Sequence, residues 1–177
     1  MATPSILQSK NQILREKAKD VAKKEFNSPS LLRELDQMKM ALETSTNGIA
    51  IAAPQIGIRK RIFVVSPKAF KEAEKSKPLI YINPIVTKRS VQQTEFDEGC
   101  LSVESIYGKI KRSEKVTVAA CDAMGVKFTR GASGLLAEIF QHEIDHLDGI
   151  LFIDSAYDLH TVDPKEKERP WDNKDGE

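Results

Sequence analysis

His142 and His146 stand four residues apart, with Glu143 directly after the first, in the run Gln141-His142-Glu143-Ile144-Asp145-His146. On a helix that spacing puts both imidazoles on one face about one turn apart, where they can close on a single cation while Glu143 projects beside them. This is an H-E-x-x-H element. A glutamate next to a bound metal can take a proton from the water the metal holds and pass it to a leaving group, so the pattern points to metal-assisted hydrolysis. The competing reading is a helix whose two histidines are solvated or packed in the core and bind nothing.

Two other stretches carry matching chemistry. Cys100, within Glu98-Gly99-Cys100-Leu101-Ser102, can add a thiolate to the two imidazoles. Three protein ligands with a position left for water is the arrangement of catalytic rather than structural sites. The alternative for Cys100 is a small buried hydrophobe, the usual fate of a lone cysteine. In Gly48-Ile49-Ala50-Ile51-Ala52-Ala53-Pro54-Gln55 almost every side chain is small or apolar until the amide of Gln55. Small residues admit a ligand close to the backbone, and the amide suits an oxyanion site; a buried strand entering a turn, with Gln55 satisfied in the loop, explains the run equally.

The elements that must position these residues follow from local patterns. Ser133 and Gly149 bracket a helix on which Leu135, Ile139, His142 and His146 share one face, which puts a bound metal inside the domain. Ser28 and Pro29 open an earlier helix to about Ser45, with an apolar stripe of Leu31, Leu32, Leu35, Met38, Met40 and Leu42; turn-forming residues from Thr44 to Gly48 end it. Before it, Ser5 to Ala22 reads as a short segment packed on the body. Strand signals run over Arg61 to Val65, Leu79 to Ile82, Ile85 to Thr87, Lys115 to Cys121 and Val126 to Thr129, with a hairpin turn at Asp122-Ala123-Met124-Gly125. No helix separates neighbouring strands, so they pair antiparallel and the class is α+β. The charged stretch Lys68 to Lys77 reads as a solvated loop or short helix, and repeats and low complexity are absent.

At 177 residues the chain fits one domain with one site. Its 27 basic against 26 acidic residues leave a formal charge of +1, which gives no support for direct nucleic-acid binding. No apolar run approaches a membrane span, and Met1 to Lys10 lacks a basic region followed by an apolar core, so the expected location is the cytoplasm, or an organelle if a transit peptide precedes this sequence. Two cysteines, Cys100 and Cys121, fit a reducing compartment and leave open one bridge between them. The catalytic domain is expected over 1–156 and a polar, disordered tail over 157–177, with no metal role for His160.

The three stretches Gly48 to Gln55, Glu98 to Ser102 and Gln141 to Gly149, in this order, resemble the three signature motifs of peptide deformylases. These metal hydrolases remove the formyl group from N-formylmethionine on new polypeptides. The likeness also takes in Arg112 to Val118, Gly134 to Ala137 and Leu151 to Asp154. It implies antiparallel strands packed around the metal-binding helix, with an N-terminal helix beside them. It further implies that Cys100, His142 and His146 hold one divalent ion, Fe2+ in the cell with Zn2+, Ni2+ or Co2+ as substitutes. Glu143 would be the general acid/base, and the Gln55 side chain and Leu101 amide the oxyanion donors. Gly48, Ile49 and Ala50 would run beside the substrate backbone, and Ile49, Ile139 and His142 would line a pocket for the methionine side chain. Arg112 would pair with Asp145 as a brace behind the ligands, unless the two form an ordinary surface ion pair. The partners so implied are N-formylmethionyl nascent peptides and the ribosome.

The chain departs from the motifs twice. Ala50 stands where a second glycine is usual, and Val103-Glu104-Ser105 stands where a proline often follows the second motif. Both bear on substrate fit and rate rather than on the reaction. Two rivals differ in checkable ways. An H-E-x-x-H peptidase usually draws its third ligand from downstream of the helix, and a metal-stabilised binding module needs neither Glu143 nor Gln55.

Overall fold

The computed structural model describes residues 3–45, 48–70 and 79–162. Five antiparallel strands form one sheet in the order β1-β2-β3-β6-β7: β1 (Ala50–Ala52), β2 (Ile62–Val65), β3 (Ile80–Arg89), β6 (Lys115–Cys121) and β7 (Lys127–Ser133). A second antiparallel sheet has the order β4-β5-β8, made of β4 (Gln93–Cys100), β5 (Val103–Ser113) and β8 (Tyr157–Thr161). Two helices complete the fold, α1 (Pro29–Thr44) and α2 (Leu135–Leu147).

Alternation along β2 and β3 explains how both helices use one sheet. Phe63, Val65 and Tyr81 point into a core shared with Ala137, Ile139, Phe140 and Ile144 of α2. Ile62, Val64 and Ile82 point the other way, against Leu31, Leu35 and Met38 of α1. With both faces covered, β2 is apolar at every position. The α2 side is set by aromatic packing: the Phe63 and Tyr81 rings stack at 4.5 Å, and Phe140 lies 4.9 Å from Tyr81. Such pairs add about 0.5–1.5 kcal/mol to what burial contributes. Strand β6 alternates, with Val116, Val118 and Ala120 buried on the α2 side and Cys121 packing against the α1-side core.

The sequence places several elements well and others not. Helix α1 starts as read, with Ser28 Oγ accepting from the Leu31 N–H at 3.1 Å. Helix α2 starts differently: Ser133 remains in β7, paired with Lys115, and the capping position falls to Gly134, whose φ of +57° turns the chain straight from strand into helix without a side-chain cap. The two strand signals from Leu79 to Thr87 are one bulged strand. Asn83, at φ +51°, interrupts its register, and the Asn83 side chain ties the bulge to the N-terminal segment through both the N–H and the C=O of Val21. Strands β4 and β5 carry no sequence signal in the reading above. Tyr157–Thr161, expected to open a disordered tail, instead pairs with β5 as an edge strand. Most of the charged stretch 68–77 and the tail from 163 lie outside the described residues. Both cysteines are free, so no bridge joins them.

Candidate metal centre

The first ligand candidate arrives on a hairpin. Cys100 is the last residue of β4 and pairs with Val103, so that Leu101 and Ser102 alone make the turn. Gly99 admits the Tyr107 ring on the facing strand, which an added Cβ would meet at 2.2 Å. The other two candidates come from α2, whose His142 and His146 rings lie 4.9 Å apart. Cys100 Sγ is 3.1 Å from His146 Nε2, and the ligand atoms of Cys100, His142 and His146 all fall within 4.8 Å of one another. No other group of three such side chains is present among the described residues, and His160 instead faces Asp97 at the surface.

Behind this group runs a buried chain of charges. His142 Nδ1 donates to Glu98 Oε2 at 2.9 Å, which leaves Nε2 toward the cysteine. Arg112 grips the same carboxylate with two bonds, Nε to Oε1 at 2.7 Å and Nη2 to Oε2 at 2.9 Å, and donates through Nη1 to Asp145 Oδ2 at 2.5 Å. Arg112 is 6% exposed, so its bond to Asp145 is no ordinary surface ion pair. Glu98 is 1% exposed; burial works against its charge, but Arg112 and His142 outweigh that and bring its pKa down to about 2. Glu98 took no role in the sequence reading. The signal was the period-two placement of Phe96, Glu98 and Cys100 on one face of a strand, hidden because the inward residues include a carboxylate.

Glu143 and Gln55 are buried polar groups as well. Burial raises the Glu143 carboxyl to about 7, helped by the nearby Glu98 charge and opposed by His142 and Arg112; its Oε2 is buried without a hydrogen-bond partner. Burial likewise disfavours the cation at both histidines. At His142 it is outweighed by Cys100 and Glu98, which raise the pKa well above the ordinary value, while His146, beside that charge, is held well below it. Gln55 reaches in from the turn after β1. Its Oε1 accepts from the Ala52 N–H at 2.8 Å, and its Nε2 donates to Ser102 Oγ at 3.1 Å and lies 3.6 Å from Cys100 Sγ.

One sulfur and two imidazole nitrogens suit a borderline or soft divalent cation rather than calcium or magnesium, which take oxygen ligands. The donors present fit such an ion: an imidazole held neutral, a second oriented by a carboxylate behind it, and an unpartnered carboxylate oxygen alongside. The family model for polypeptide deformylase matches residues 3–162. Peptide deformylase 2 of Clostridium acetobutylicum is 43% identical over 154 residues, 87% of this chain and 95% of that protein. The peptide deformylase of Pelotomaculum thermopropionicum is 38% identical over 166 residues, 94% of this chain and 99% of that one. The chain belongs to the peptide deformylase family. Among solved structures, an actinonin-bound class I type b peptide deformylase from Acinetobacter baumannii superposes with a TM-score of 0.80 at 32% identity, covering 89% of this chain and 100% of that one. The Thermotoga maritima peptide deformylase gives 0.79 at 30% identity, covering 89% and 99%. This deformylase is therefore a metal-dependent α+β hydrolase that removes the N-formyl group from nascent peptides.

The residues expected to contact substrate lie at the hairpin and in the core. A Cβ on Gly48 would lie 3.1 Å from Leu101 Cδ1, so the first and second motifs touch. Ile49 and the buried Ile139 pack in the α2-side core. Ala50 belongs to that core too, and packing absorbs its methyl. Ser105, in the stretch that replaces the usual proline, takes φ +62° within β5. No helix among the described residues is long and apolar enough to cross a membrane.

Proposed function

We propose that Cys100, His142 and His146 hold one divalent ion, Fe2+ in the cell and Zn2+, Ni2+ or Co2+ in its place, and that Glu143 is the general acid/base of deformylation. What supports this reading is the convergence of the three donor atoms within 4.8 Å, together with the buried Glu143 Oε2, next in sequence to His142 and without a hydrogen-bond partner among the described residues. A bound divalent ion supplies Lewis acidity, polarising the formyl carbonyl and making a water more acidic. Glu143 Oε2 accepts the proton of the attacking water and returns it to the nitrogen of the departing amine. The Gln55 Nε2–H and the Leu101 N–H donate to the formyl oxygen as negative charge gathers there. Arg112 and Asp145, with Glu98, hold His142 in the tautomer that a ligand needs.

Strand β1 is the edge of its sheet, and an extended peptide can add to it. Gly48, Ile49 and Ala50 then run beside the substrate backbone, and the methionine side chain enters between Ile49, Ile139 and His142. N-Formylmethionyl chains are met at the ribosome, in the cytoplasm or an organelle, and co-sedimentation with ribosomes tests that association.

The deciding experiment is anaerobic purification, measurement of bound metal, and an assay of formate release from a formyl-methionyl peptide. Metal-loaded protein is expected to release formate. Glu143→Ala is expected to lose at least ~10²–10⁴ in rate while keeping its metal. A variant that loses the metal contradicts the role given to Glu143.

A further inference from the structure

The amide of Gln55 is the one oxyanion donor that has to be aimed, because a primary amide can sit in either of two orientations. Its Oε1 accepts from the Ala52 N–H at 2.8 Å, which fixes the oxygen on the β1 side. A flipped amide would set two donors against each other. On the nitrogen, one hydrogen is donated to Ser102 Oγ at 3.1 Å and the other to Cys100 Sγ at 3.6 Å, at the edge of the ligand cluster.

Ser102 is placed for this task and for little else. It is 0% exposed, sits in the two-residue turn between Cys100 and Val103, and directs its own N–H at Cys100 Sγ from 3.4 Å. Its hydroxyl takes no part in the proton transfers assigned to Glu143. We infer that Ser102 is a positioning residue for deformylation: its hydroxyl accepts one Gln55 N–H and so holds the amide where the other, donated to Cys100 Sγ without substrate, turns to the formyl oxygen when substrate binds. This rests on the role given to Gln55 above. Because the Ser102 turn also carries Cys100, the same two residues tie the oxyanion donor to the ligand cluster at a fixed separation.

A double-mutant cycle on zinc-loaded enzyme tests the inference, using Ser102→Ala, Gln55→Met and the double variant. Each is assayed for kcat and KM on a formyl-methionyl peptide, for zinc per chain, and for the Gln55 side-chain NH2 resonances in a 15N-correlated spectrum. Gln55→Met is expected to lower kcat by about 10²–10³. Ser102→Ala is expected to lower it roughly tenfold with KM changed less than about twofold, to move both Gln55 NH2 resonances, and to keep its zinc. On the Gln55→Met background it is expected to cost nothing more, since the partner it acts through is gone. Multiplying effects, an unchanged kcat, unmoved Gln55 resonances or loss of zinc in Ser102→Ala would each overturn the inference. An unchanged kcat in Gln55→Met would instead overturn the oxyanion role of Gln55 itself, a separate result.

Discussion

Arg112 shows how far one side chain can reach. It holds Glu98 with two bonds and Asp145 with a third, and through Glu98 it sets the orientation of His142. Arg112→Ala leaves the Glu98 carboxylate buried with His142 as its one remaining partner in that chain of bonds. Removing one member of a buried ion pair costs about 3–5 kcal/mol, and losing a group that orients a ligand weakens metal affinity about 10–100-fold. Denaturant unfolding of metal-free protein and competition with a chelator measure the two effects separately. Arg112→Lys is expected to rescue little, since an ammonium cannot reproduce the planar two-bond grip. The pairing of Arg112 with Asp145 was legible in the sequence through the resemblance. Glu98 was not, because a carboxylate facing inward from a strand breaks the apolar alternation by which strands are recognised.

At the scale of elements, legibility followed which side of each element is apolar. Helix α1, with its capping serine and apolar stripe, and the apolar strands β2 and β6 could be read directly. Strands β4 and β5 could not, because their inward residues include the ionic partners of the site, Glu98 and Arg112. Strand β8 is exposed along its whole length and gives no burial pattern to read. The start of α2 turned on backbone rather than on a cap. Gly134 takes φ +57° and ψ −137°, and nothing lies within 4 Å of an added Cβ, so a side chain there meets strain without a clash. Gly134→Ala is therefore expected to destabilise the protein by about 1–3 kcal/mol, measured by thermal unfolding, with the metal content unchanged. A variant as stable as the parent would show that another conformation can start α2.

Across the whole molecule, α2 packs Ala137, Phe140 and Ile144 against the five-stranded sheet and turns His142 and His146 to Glu98 and Cys100 of β4 in the other sheet. That the two histidines lie inside the domain was legible in the sequence from the face they share with Leu135 and Ile139, and α2 is in fact buried on nearly all sides. Cys100 as the sulfur that meets the two histidines was named through the resemblance, whereas the pairing of β4 with β5 that delivers it to them was not legible. X-ray absorption at the zinc edge of the zinc-loaded protein, beside its Cys100→Ser variant, tests the ligand set most directly. One sulfur and two imidazole nitrogens are expected around the ion in the parent protein, and no sulfur in the variant. A sulfur-free shell in the parent, or a shell unchanged by Cys100→Ser, would contradict that ligand set.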